Sequence, residues 1–89
     1  MTNIVSVSPA FKRDVKPLAK KYNSLKNSID LLINDLIKNP FLGIAYGNNI
    51  LKIRLSDESK GGGKSGGFRV MYYHLNKTEN GIEILLMSI

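Results

Sequence analysis

Apolar residues recur along this chain first at strand spacing, then at helical spacing, then at strand spacing again. Ile4, Val5 and Val7 among polar neighbours predict a short strand over residues 3–7. Ser8-Pro9 follows, with Ser as an N-cap and Pro at the first helical position. Phe11, Val15, Leu18, Ala19 and Tyr22 then repeat at helical spacing, while Lys12, Arg13, Lys16, Lys20 and Lys21 occupy the remaining faces. Pro17 inside this run removes one backbone hydrogen bond and crowds the preceding turn, which predicts a kink or a helix in two pieces. Ser24 is a second candidate cap. Ile29, Leu32, Ile33, Leu36 and Ile37 form the stripe of a second helix, which Asn39-Pro40 ends. Two helices joined by two or three residues are expected to pack as an antiparallel hairpin. Residues 41–49, with Gly43 and Gly47, read as a loop.

From residue 50 the period is two. Leu51, Ile53 and Leu55 alternate with Lys52 and Arg54 over 50–55. A second strand is predicted over 68–75. A third runs over 82–89, opened by the turn signal Asn80-Gly81. It is apolar on both faces, as befits an inner, covered strand. The expected fold class is α+β: a short N-terminal strand and a two-helix antiparallel hairpin packed on one face of a mostly antiparallel sheet, which ends in a three-stranded meander. The same alternation sorts the side chains. Val70 and Tyr72 join the core face, so Arg69, Met71 and Tyr73 share the open face with Lys52 and Arg54.

Charge sharpens this picture. Eighty-nine residues make a single domain, 1–89, with a modest core. Thirteen Lys and Arg against seven Asp and Glu give a net charge of +6. That balance favours a polyanionic partner, whether nucleic acid, a membrane surface or an acidic protein, and it also serves solubility. The absence of cysteine excludes a disulfide scaffold and a Cys-based metal site, and it fits a reducing cytoplasm. Apolar runs such as Ile84-Leu85-Leu86-Met87 are far too short to span a bilayer. Residues 1–15 lack the apolar segment of a signal peptide. The expected location is the cytoplasm, with no membrane partner.

The stretch "SKGGGKSGGFRV" at 59–70 contains Gly63-Lys64-Ser65, the tail of a phosphate-binding loop. That motif needs a glycine at position 58, where this chain has Glu, and a helix after it, where this chain has a predicted strand. No nucleotide cofactor is expected. The glycines are expected instead to form a flexible hairpin loop, from which Lys60 and Lys64 would reach over one edge of the open face. The resulting basic patch holds phosphates, and Tyr73 offers a ring on which a base can stack. The same residues also suit an ordinary solvated sheet face. His74 alternates onto the core face, as a hydrogen-bonded structural residue. No cluster has metal-ligand spacing, and no carboxylate pair suggests acid–base work. Asp57 and Glu58 read as solvated hairpin residues.

The order strand–helix–helix–three strands, with "LKIRL" leading into "GKSGGFRVMYY" and preceded by "SPAFKRDVKPLAKKYNSL", resembles the RelE/ParE superfamily of bacterial toxins, in particular its RelE- and HigB-type members. The resemblance implies a toxin of a type II toxin–antitoxin system. Such a toxin is a metal-independent endoribonuclease (mRNA interferase) that inhibits translation by cutting mRNA in the ribosomal A site, and a cognate antitoxin holds it inactive. Lys52, Arg54 and Arg69 match the basic catalytic positions of that family. Lys52 is then the candidate base, Arg54 and Arg69 hold the phosphate, Lys60 and Lys64 anchor RNA, and Tyr73 stacks on a base. Family members continue past the last strand with a short basic or aromatic tail that contributes catalytic residues. This sequence reaches Ile89 within an apolar strand, so the resemblance implies either a piece of a longer chain or a copy that has lost part of its site, with the proton donor missing from the residues named here. Other readings are a ParE-like inhibitor of DNA gyrase, a disarmed homologue that binds RNA or antitoxin, and an unrelated small RNA-binding protein.

Overall fold

The computed structural model describes residues 2–57 and 67–89. Its elements follow in the order β1 (Ile4–Val7), α1 (Pro9–Lys21), α2 (Leu25–Lys38), β2 (Ile44–Gly47), β3 (Ile50–Leu55), β4 (Phe68–Thr78) and β5 (Gly81–Ser88). The five strands form one mixed sheet in the order β1-β5-β4-β3-β2. β1 runs parallel to β5, and every other pairing is antiparallel. The fold is α+β, with β3, β4 and β5 as the expected meander and β5 inside the sheet.

Local chemistry accounts for most boundaries. Ser8 caps α1, its hydroxyl accepting from Phe11 N–H at 3.0 Å, and Pro9 begins the helix. Pro17 does not divide α1, which is one helix from Pro9 to Lys21. Its ring lies on the exposed side of the helix, where the displaced carbonyl can turn to water. Ser24 stands at the start of α2 but makes no side-chain cap; its hydroxyl donates to Asp57 instead. Asn39 ends α2, and its side-chain oxygen accepts from Phe41 N–H at 3.1 Å.

Residues 41–49 are not simply a loop. Ile44–Gly47 is an edge strand, joined to β3 by a two-residue turn at Asn48 and Asn49. Both asparagines have positive φ, 53° and 65°, as a type I′ hairpin turn demands. Gly47 also has positive φ, at a bulge that shifts the register between Ala45 and Gly47. β4 also runs three residues beyond the expected 75, because Asn76, Lys77 and Thr78 pair with the start of β5.

Both helices pack on one face of the sheet. Phe11, Leu25, Ile29, Leu32 and Leu36 meet Leu51, Leu55, Val70, Tyr72, Ile84 and Leu86 there. Burial of side chains this size stabilises by about 1.5–3 kcal/mol each relative to exposure. That energy fixes which face of β3 and β4 is left open, because a one-residue slip would drive Lys52 and Arg69 into the core. Among the described residues no helix is long and apolar enough to cross a membrane.

Candidate nucleic-acid interface

The β3–β4 register decides which cations meet. Arg54 lies directly opposite Arg69, Lys52 opposite Met71, and Ile50 opposite Tyr73. All six project from the face away from the helices. Arg54 and Arg69 are exposed, while Lys52, Met71 and Tyr73 are half-buried. Like charges placed across a strand pair repel, and an anion laid between them reverses the sign of that interaction. Guanidinium groups also match phosphate geometry in pairs of hydrogen bonds.

β2 completes the face. Ile44 lies opposite Lys52, and the bulge after Ala45 aims the Tyr46 ring toward the same lysine. Lys52 Nζ sits 5.0 Å from the Tyr46 ring centroid, a cation–π contact. Tyr46, Lys52, Arg69 and Met71 line an open depression of about 670 Å³ that runs past the edge of this face to Phe68, Leu18 of α1, Ser88 and Ile89. Tyr73, the aromatic expected to stack on a base, shares this face but lies one step away, between Ile50 on β3 and Leu85 on β5, and is not among the lining residues. Tyr46 carries no role when 41–49 is taken as a loop. The signal that marks it is Gly47-Asn48-Asn49, since asparagine tolerates the positive φ of a hairpin turn. Lys60 and Lys64 lie outside the described residues.

Behind the face, a buried polar cluster holds the approach to β2. The Tyr72 hydroxyl accepts from Gly43 N–H at 2.8 Å and donates to the Pro40 carbonyl at 3.1 Å. His74 Nε2 contacts the same carbonyl at 2.9 Å. Since a carbonyl can only accept, Nε2 carries the proton. His74 is thus the structural core residue the alternation predicts. Burial pushes the Tyr72 phenol above the ordinary tyrosine range, an effect the Gly43 N–H partly opposes. Gly43 has no room for a side chain, because a Cβ there would lie 2.6 Å from the Lys52 carbonyl.

Asp57, expected to be solvated, is buried at 6% exposure. Its Oδ1 accepts from Ser24 Oγ at 2.9 Å and Ser28 Oγ at 2.7 Å. It ties the end of β3, which carries Lys52 and Arg54, to the first turn of α2. A carboxylate suits the positive end of a helix. Among the described residues no group of three or more His, Cys, Asp or Glu side chains could hold a metal ion.

No protein-family model, no curated protein and no solved structure matches this chain.

Proposed function

We propose that the open face of the sheet binds RNA and that the chain is a RelE-type toxin, a ribosome-dependent mRNA endoribonuclease held in check by an antitoxin. The observation that carries this reading is the placement of Lys52, Arg54 and Arg69 together on the side of the sheet the helices leave uncovered. The sequence resemblance supplies the reaction class. The RNA 2′-oxygen attacks the adjacent phosphorus, the P–O5′ bond breaks, and the products are a 2′,3′-cyclic phosphate and a 5′-hydroxyl. In this reading Lys52, when its amine is unprotonated, takes the 2′-hydroxyl proton, and the leaving 5′-oxygen takes one from water. Arginine does not deprotonate in proteins, so of the three cations only Lys52 suits the acceptor role. Arg54 and Arg69 stabilise the charge that develops on the phosphoryl oxygens.

Expression in bacterial cells tests the proposal, with growth followed and mRNA ends mapped by primer extension. Arrest with cuts at A-site codons, both lost in Arg69→Ala, is the expected result. Arrest without RNA cleavage but with inhibited DNA gyrase would overturn the proposal in favour of a ParE-like inhibitor. RNA binding without any cleavage would leave a disarmed homologue.

A further inference from the structure

We infer that Tyr46 is the base-stacking residue of the basic face, receiving an unpaired nucleobase while the neighbouring phosphates lie on Lys52 and Arg69. This inference rests on the RNA-binding reading above and extends it to a residue that reading does not need. Three observations converge on Tyr46. Tyr46 is 60% exposed on an edge strand, where a large aromatic gains little from the core. The ring borders the depression whose other walls include Lys52, Arg69 and Met71, whereas Tyr73 does not. Lys52 Nζ already lies 5.0 Å from the ring centroid, so a cation and the ring are presented to the same ligand.

The placement is built rather than incidental. The bulge between Ala45 and Gly47 re-aims the side chain, and the Asn48-Asn49 turn fixes β2 against β3. Upstream, the Tyr72–Gly43 hydrogen bond clamps the backbone that leads into the strand. A ring carried on a backbone held in this way loses less entropy when a base settles on it than one on an unpaired loop. Every base has a π-face, so such a platform accepts single-stranded RNA of any sequence, while the cations select for the phosphates. One face of the ring can keep Lys52 while the other takes the base.

The chain contains no tryptophan, so Tyr46→Trp places a single indole on the platform. A short mixed-sequence single-stranded oligoribonucleotide and an abasic oligomer of the same length are the probes. The expected result is that the base-bearing oligomer quenches the indole fluorescence of the Tyr46→Trp variant and the abasic one quenches it little. Tyr46→Ala should weaken binding of the base-bearing oligomer about 5- to 150-fold and leave abasic binding nearly unchanged. Circular dichroism of both variants should match the parent, since the ring is largely exposed. If Tyr46→Ala binds the base-bearing oligomer as the parent does while Arg69→Ala binds it poorly, the stacking role is wrong and the RNA-binding reading stands. If the parent binds neither oligomer at low salt, the RNA-binding reading itself has failed.

Discussion

Tyr72 and His74, two residues apart on β4, converge on one acceptor, the carbonyl of Pro40. Both side chains point to the core face, and Pro40 follows the residue that ends α2. The pair therefore fastens the exit of the helical layer to the central strand of the meander. Their rings pack together at 5.9 Å between centroids, and Phe41 meets His74 edge-on at 5.0 Å. The Tyr72 hydroxyl also receives Gly43 N–H, so one phenol holds both ends of the segment that feeds β2.

Tyr72→Phe removes that oxygen and leaves Gly43 N–H without its acceptor. A lost hydrogen bond with a stranded partner costs about 1–3 kcal/mol, which denaturant titration should register. The same substitution should change the pH profile. The Tyr72 phenol titrates above its unfolded-state value of about 10. The folded state then keeps a proton that the unfolded chain gives up, so the contribution of Tyr72 to stability is full below about pH 10. It is lost as pH rises through the folded value. The parent should lose stability above about pH 10 more steeply than Tyr72→Phe. Parallel alkaline profiles for the two proteins would rule this out.

Asp57→Ala removes, just after β3, the acceptor that the Ser24 and Ser28 hydroxyls share at the start of α2. A loss of about 1–3 kcal/mol is expected from unmaking this buried cluster. Ser28→Ala removes one donor and leaves the carboxylate its bond from Ser24, so it should cost less. Chemical denaturation of the two variants side by side tests the ranking. Equal small losses would show that the carboxylate is better hydrated than its exposure indicates.

Asp57 also shows what a linear reading can and cannot reach. The alternation of Lys52 and Arg54 with Leu51, Ile53 and Leu55 predicts the open face, because period two is a local property. The same holds for Arg69, Val70 and Tyr72, and for Ser8-Pro9 as a helix start. Asp57 meets Ser24 and Ser28 from 33 and 29 positions away in the chain, and no spacing rule reports such a meeting. β2 fails for another reason. Four residues with no buried side chain have no hydrophobic alternation to display, and only the turn at Asn48-Asn49 betrays them. Tyr46 is hidden with its strand. The pairing of Arg54 with Arg69 depends on register, which follows from the β3–β4 ladder and not from either strand alone.

If the open face binds RNA as proposed, that pairing sets the salt dependence of binding. Each phosphate neutralised by Arg54 or Arg69 releases counterions, so affinity for single-stranded RNA should fall with salt by about 0.7 in log–log slope per contact. Arg54→Ala and Arg69→Ala should each weaken binding at low salt and flatten the slope by about that amount. Measuring Kd across a salt series for the parent and both variants decides the matter. Unchanged slopes in both variants would place the RNA contacts elsewhere.

In the proposed nuclease, Lys52 separates holding from chemistry. Lys52→Arg keeps the positive charge on β3, and guanidinium also interacts favourably with an aromatic face, so the contact with Tyr46 survives. Binding of RNA should therefore stay close to that of the parent. What the substitution removes is the ability to take a proton, since arginine stays charged in proteins. Loss of general base assistance typically lowers a rate about 10²–10⁴-fold. Lys52→Arg should accordingly bind mRNA on the ribosome and cut it slowly, whereas Lys52→Met should lose affinity as well as rate. The measurement is single-turnover cleavage of ribosome-bound mRNA, alongside Kd for the same RNA. Cleavage by Lys52→Arg at the rate of the parent would show that Lys52 serves only as a cation and that the proton goes to another acceptor.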